Sequence, residues 1–467
     1  MRVKEAHLKG SAQERKGKRK HVPYEEMGRD VETKLALITV RAKREPQCQF
    51  SSLAHFLNED FLKGCYGSLG RNKASGIDGV SWTEYGSKLE ENLKGLVARL
   101  KAKQYRPQPA RRVYIPKDGH TMRPLGIPAQ EDKVVQKGVS RILEAIYETD
   151  FKDSSHGFRP ARGCHTALKA VDRTLMSKPI NHVIEADIKG FFDNVSHARM
   201  MEFLGRRITD PSLLRIIGRF LIAGYKDSEL IVESEKGTPQ GGNLSPMLAN
   251  IFLHYVLDEW FENEVKPQVK GECHLVRYAD DFVIMVQYKE EAGNVVELIR
   301  ERFKRQDLEL NPDKTRIISF GRYERENAHK QKRKANTFDF LGLTHYCTLS
   351  RRGKHMVGRK TAVKRFRKKV KEMSQWLRAR RNILKLGEIW KMLAAKLRGH
   401  FQYYGISGNY RGISRYNQCV IKLAFKWLNR RSQRKSFNWE QFAQYCKRYP
   451  LPKPQIVHRL YGLSPVQ

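Results

Sequence analysis

Two features that would place this chain in a membrane or around a zinc ion are missing from its sequence. No apolar run approaches the ~20 residues of a bilayer-spanning helix, and the basic segments carry no lipid-anchor signal. The first thirty residues mix Lys and Arg with Glu and Asp around no apolar core and read as neither a secretory signal nor a good transit peptide. The seven cysteines (Cys48, Cys65, Cys164, Cys273, Cys347, Cys419, Cys446) are odd in number and include no C-x-x-C pair. That spacing speaks against a zinc ribbon and for reduced thiols in a cytosol-like compartment, so a cytoplasmic protein of prokaryotic type with no membrane partner is expected. Acid is also scarce: beyond Lys360 the only acidic residues are Glu372, Glu388 and Glu440.

What is present is a foldable and strongly cationic chain. Its 467 residues can bury more than one core and suggest two to four domains, and 40% hydrophobic with 10% aromatic residues is too much for a disordered protein. A formal net charge of +39 repels itself unless a polyanion is bound, which makes nucleic acid the leading partner.

The chemistry centres on 273–286, where two β-favouring apolar runs meet at Asp280-Asp281. This reads as a hairpin with an acidic tip. Two adjacent carboxylates there repel each other and call for a cation, whereas an ordinary solvated Asp turn would not have such apolar flanks. His182-Val-Ile-Glu-Ala-Asp-Ile188 is another apolar strand carrying Asp187 near its end, before a turn at Lys189-Gly190. Brought together in one sheet, the three aspartates supply hard oxygen ligands for two Mg²⁺ ions, the arrangement of nucleotidyl transfer.

In chain order, residues 1–34 read as a basic arm. Residues 35–69 read as helical, 71–80 as a Gly/Asp loop, and 83–103 as one amphipathic helix. Residues 111–128 form a hairpin around Asp118-Gly119, with Lys117 and Arg123 beside its tip. Helices are expected over 131–147, 213–223, 247–260 and 294–305. A Gly/Pro loop spans 237–246, a turn and strand 308–320, and a last short strand 338–344. Three helical patterns follow at 363–380, 388–404 and 415–430. Lys364, Arg365, Arg367, Lys368 and Lys369 open the first of them, either as a solvated face or as an RNA-binding one.

Tyr278-Ala-Asp-Asp281, Asp187-Ile-Lys-Gly-Phe-Phe192, Thr238-Pro-Gln-Gly-Gly242 and Asn311-Pro-Asp-Lys-Thr315 resemble the motifs of a reverse transcriptase. The Gly76-x-Asp-Gly79 loop, Ile115-Pro-Lys…Ile-Pro128, Gly157-Phe-Arg-Pro-x-Arg162 and Leu397-Arg-Gly-His-Phe-Gln-Tyr-Tyr-Gly405 resemble those of the group II intron-encoded branch. The resemblance spans about 35–431. It implies an α+β right-hand polymerase with fingers (35–180), a palm with an antiparallel sheet (181–345) and a helical thumb or maturase domain (360–431), followed by a short basic extension (432–467). It implies Asp187, Asp280 and Asp281 as metal-holding catalytic residues and Lys314 as proton donor to pyrophosphate. It further implies Lys117 and Arg123 as triphosphate grips, Phe192 as the ring that crowds a ribose 2′-hydroxyl, and Gln240 as lining of the nucleotide pocket. Implied partners are an RNA template, a DNA primer, dNTPs and group II intron RNA. Many relatives carry a Cys- and His-rich endonuclease module after the thumb; Cys419 and Cys446 lack metal-ligand spacing, so DNA cleavage is not expected. The competing readings keep the polymerase for a host task in DNA repair or phage defence, or make the chain a splicing-only RNA-binding protein, against which the three intact aspartates count.

Overall fold

The computed structural model describes residues 24–116, 122–227, 230–232, 234–238, 241–431 and 437–460, with side chains from residue 32 onward. Its folded centre is a four-stranded antiparallel sheet. The strands are labelled in chain order: β1 (Ala110–Pro116), β2 (Met122–Ile127), β3 (His182–Asp187), β4 (Tyr225–Asp227), β5 (Leu230–Val232), β6 (Cys273–Tyr278), β7 (Asp281–Val286), β8 (Arg316–Ser319), β9 (Thr337–Phe340), β10 (Leu343–Leu349) and β11 (His355–Thr361). The central sheet has the order β6-β7-β3-β8, a second sheet β2-β1-β4-β5, and a third β11-β10-β9.

The central strands are buried on both faces, and the two-residue period of a strand divides them between two cores. Ile184, Ala186, Leu275, Phe282, Ile284 and Val286 enter one core with the helices Glu59–Ser68, Leu89–Lys101, Gln130–Tyr147 and Ser245–Leu253. Val183, Val276, Val283 and Met285 enter the other, with helix Cys164–Ser177, the third sheet and the C-terminal helices Val363–Arg380, Leu386–Tyr404 and Tyr410–Leu428. Asp187 and Asp281 lie in alternation with this second set, so their carboxylates share the face toward the C-terminal helices.

Several expectations are corrected. The single helix expected over 83–103 is two, Trp82–Ser87 and Leu89–Lys101, broken where Lys88 leaves helical geometry. There the Ser87 hydroxyl donates to the Glu84 carbonyl (2.7 Å) and the Asn92 amide to the Tyr85 carbonyl (3.0 Å), taking two acceptors that a continuous helix would use. The apolar stretch 247–260 is α-helical to Leu253, widens into π-helix at His254–Asp258 and returns to α-helix at Glu259-Trp260, with a second π-helical segment following at Phe261–Val265. The strand at 338–344 is not the last. A tight turn at Leu341-Gly342, both with positive φ (49° and 76°), divides it into β9 and β10, and β11 follows. The described part of the C-terminal extension packs on the helices before it. Helix Trp439–Arg448 buries Phe442 against Trp390 and Phe425, and the Val457 and His458 amides donate to the Gly405 carbonyl. Among the described residues no helix is long and apolar enough to cross a membrane, and all seven cysteines are free thiols.

Candidate active site

β6 and β7 form a hairpin whose register pairs Tyr278 with Asp281, leaving Ala279-Asp280 as a two-residue turn. Ala279 sits at φ 57°, a conformation that costs a residue with a Cβ about 1–2 kcal/mol and must be held by its surroundings. β7 also pairs antiparallel with β3, with Asp187 directly opposite Asp281. Opposed residues in such a pair lie ~4.5–5.5 Å apart at Cα, so two carboxylates on one face repel. Loss of hydration and the carboxylates of Asp280, Asp187 and Glu185 push Asp281 up to about 7, against the opposing pull of the Lys314 ammonium.

The turn after Asp187 brings that ammonium in. Gly190 is left-handed (φ 56°), Lys189 N–H donates to the Glu309 carbonyl, and Asn311 N–H donates to the Asp187 carbonyl (2.8 Å). This seats the turn at 311–315 against the end of β3, and Lys314 Nζ reaches Asp187 Oδ2 at 2.7 Å. Among the described residues no three His, Cys, Asp or Glu side chains form a closed cation site. Mg²⁺ is commonly held by one or two carboxylates with substrate phosphates completing its shell, and a crowded, hard-oxygen triad with one lysine as its charge balance fits that use.

Behind the turn lies a buried network absent from the expectations. Arg277 is fully buried on β6 and donates Nε to Asp258 Oδ1 (2.7 Å), with Nη2 on Asp258 Oδ2. It also donates Nη2 to Ser155 Oγ (2.7 Å) and Nη1 to Asn250 Oδ1 (3.2 Å) and to the Ala279 carbonyl (2.9 Å). Asn250 Nδ2 in turn holds the Gly157 carbonyl at 2.7 Å. A Cβ on Gly157 would stand 2.4 Å from the Ala279 nitrogen, so the Gly-Phe-Arg-Pro loop lies directly against the acidic turn. Asp258 itself comes from the π-helical segment, a distortion frequent at functional sites. The only sequence signal for this network was one arginine in an otherwise apolar strand, which requires a buried anion.

Asp281 opens into a cleft of about 910 Å³ that is also bordered by Pro116 at the end of β1, the Leu341-Gly342 turn, and Lys364, Arg365 and Lys368 of helix Val363–Arg380. The five expected RNA-binding residues therefore divide. Arg367 and Lys369 do not border this cleft, and Lys369 pairs with Glu372 at 2.9 Å. Phe192 lines a different cavity, about 480 Å³, with Gly237, Thr238 and Arg112; Thr238 N–H donates to the Phe192 carbonyl (2.7 Å). Arg112, which lies 3.7 Å over the Tyr225 ring, was not singled out from the sequence. Arg123 is exposed on β2 opposite Ile115 and borders neither cavity. Lys117 and Gln240 lie outside the described residues.

Residues 115–345 match the family of reverse transcriptases (RNA-dependent DNA polymerases). The group II intron-encoded protein LtrA of Lactococcus lactis subsp. cremoris is 32% identical over 430 aligned residues, covering 77% of this chain and 71% of that protein. The chain belongs to the group II intron-encoded reverse transcriptases. A 91 kDa protein in the cob intron of Schizosaccharomyces pombe is 34% identical over 238 residues, 50% of this chain and 29% of that protein. The mitochondrial nuclear intron maturase 2 of Arabidopsis thaliana is 25% identical over 176 residues, 29% of this chain and 24% of that protein. The acidic hairpin, Asp187 and the cleft all belong to the RNA-dependent DNA polymerase segment or border it. In this reverse transcriptase the buried Arg277 network holds the acidic turn from behind, through the Ala279 carbonyl.

Proposed function

We propose that this chain extends a DNA primer along an RNA template and also grips group II intron RNA to assist its splicing. The observation that carries the reading is Asp281, paired opposite Asp187 and opening into a cleft bordered by Lys364, Arg365, Lys368 and Lys371. In this reading the helical region before 180 acts as fingers, the central sheet as palm and the C-terminal helices as thumb. Asp187, Asp280 and Asp281 would hold two divalent ions, which when bound activate the primer hydroxyl and neutralise the departing pyrophosphate.

The chain's own residues do the rest. Lys314, 55% exposed beside Asp187, can turn its ammonium toward the leaving phosphate and donate a proton there. Phe192 presents a ring to the cavity it lines, where a ribose 2′-hydroxyl would be crowded. Lys117, Arg123 and Arg112 are candidates to hold the triphosphate, Gln240 to contact the nucleotide, and Lys364, Arg365 and Lys368 to hold the phosphates of the paired strands. The similarity to LtrA and to an intron maturase supports the splicing part. Mg²⁺-dependent primer extension tests the first activity. Asp280→Asn should abolish extension while RNA affinity persists, because phosphate contacts dominate affinity. A wild-type protein that binds primer and template in Mg²⁺ yet adds no nucleotide would overturn the reading.

A further inference from the structure

A third cavity, about 460 Å³, opens among the three C-terminal helices. Its walls are aromatic: Trp376, His400, Tyr403, Tyr404 and Tyr416. Lys369 and Lys396 are exposed on its border, and Lys396 Nζ lies 4.9 Å over the Trp376 ring. Glu372 borders both this cavity and the catalytic cleft, so the two are neighbours around helix Val363–Arg380.

His400 makes this more than a gap in packing. It is 8% exposed and stacked on Tyr416 (ring centroids 3.6 Å, 14° between planes), yet its Nε2 has no hydrogen-bond partner. Burial lowers its pKa to about 4, so at neutral pH the ring is uncharged. A buried polar atom left unpaired costs free energy that a ligand with a donor or acceptor edge can recover. A hydrocarbon would satisfy the rings and leave Nε2 orphaned, and a phosphate alone would leave the rings unused. A nucleobase has both a π-face and a hydrogen-bonding edge, and it arrives attached to phosphates that suit the two lysines.

We infer that this cavity receives one unpaired nucleobase of a bound RNA strand, with the flanking phosphates on Lys369 and Lys396. The inference rests on the C-terminal helices gripping RNA, as proposed above. It adds selectivity for RNA that carries a bulged or single-stranded nucleotide over continuous duplex. The seat lies outside the catalytic cleft, so it recognises the strand's structure and not the base being copied.

Gly399 provides the test. It borders the cavity on helix Leu386–Tyr404, and a Cβ there meets nothing within 4 Å, so an alanine methyl fits without displacing a packed neighbour and a longer side chain grows from the cavity's rim. The probes are two RNA hairpins, one fully paired and one with a single bulged 2-aminopurine. Wild-type protein should prefer the bulged hairpin on the order of tenfold, and the 2-aminopurine fluorescence should change on binding. The preference should fall stepwise through Gly399→Ala to Gly399→Phe, where it approaches one, and Lys396→Gln should reduce it partially. Thermal melting of each variant verifies folding. Equal wild-type affinity for both hairpins, or an undiminished preference in folded Gly399→Phe, would overturn the inference. Wild-type protein that binds neither hairpin would instead overturn the RNA-gripping role on which it rests.

Discussion

Replacing Arg277 by methionine separates support of the acidic turn from stability of the fold. The substitution keeps bulk in the core but leaves Asp258 buried without a cation, a loss of about 3–5 kcal/mol for a broken buried pair. It also strips the Ala279 carbonyl of a donor, about 1–3 kcal/mol more. Against a typical total of ~5–15 kcal/mol the single variant stands close to unfolding. Its pH dependence has a definite sign. Burial already raises the Asp258 pKa in the folded wild type, and removing the guanidinium raises it further. A carboxyl whose folded pKa lies above its unfolded value destabilises the fold increasingly as pH rises from the unfolded pKa, ~3.9, to the folded one. Arg277→Met should therefore regain stability as pH falls from 8 toward 5. The informative partner is the double variant Arg277→Met with Asp258→Leu. An apolar pair should restore most of the stability, as read by denaturant unfolding, but it offers no donor to Ala279. Displacement of the turn by about 1 Å is enough to reduce kcat of primer extension on the order of 100-fold. If the double variant recovers both stability and full extension rate, Arg277 only fills the core and its proposed hold on the turn is refuted.

Three further outcomes follow from neighbouring geometry. Gly157→Ala places a methyl 2.4 Å from the Ala279 nitrogen and should lower extension at least tenfold through displacement of the same turn; kinetics matching wild type would show that the loop yields instead. Phe192→Ala should admit ribonucleotides, read as a reduced ratio of dNTP to rNTP incorporation, and an unchanged ratio in active protein would reduce the ring to packing. Neutralising Lys364, Arg365 and Lys368 together should flatten the slope of log K against log salt for template-primer by up to ~2–3, whereas neutralising Arg367 and Lys369 should change it less. Equal effects from the two sets would mean that the whole helix face, and not the cleft side alone, meets phosphate.

Local pattern was enough for the acidic hairpin, because strand-favouring residues on both sides of Asp280-Asp281 leave a turn as the only place for the charges. The same holds for Asp187 at the end of its strand and for the C-terminal helices, whose periodicity is internal to each element. Tertiary structure alone decided which partners those elements meet. Ser155 and Arg277 are 122 residues apart, and nothing in either segment's period announces that they touch. No strand was expected between Thr344 and the helix at 363; β10 beyond Thr344 and β11 pair there with Leu343, Cys347 and Val357 covered by the second core, where Arg359 is buried against Asp172. The split of one basic helix between the cleft that Asp281 borders and an aromatic cavity is likewise invisible in sequence, where five cations in six residues look alike. Residue types and spacing set which chemistry was possible, and long-range packing chose the residues that face it, because the energy of a buried charge depends on partners the local sequence does not name.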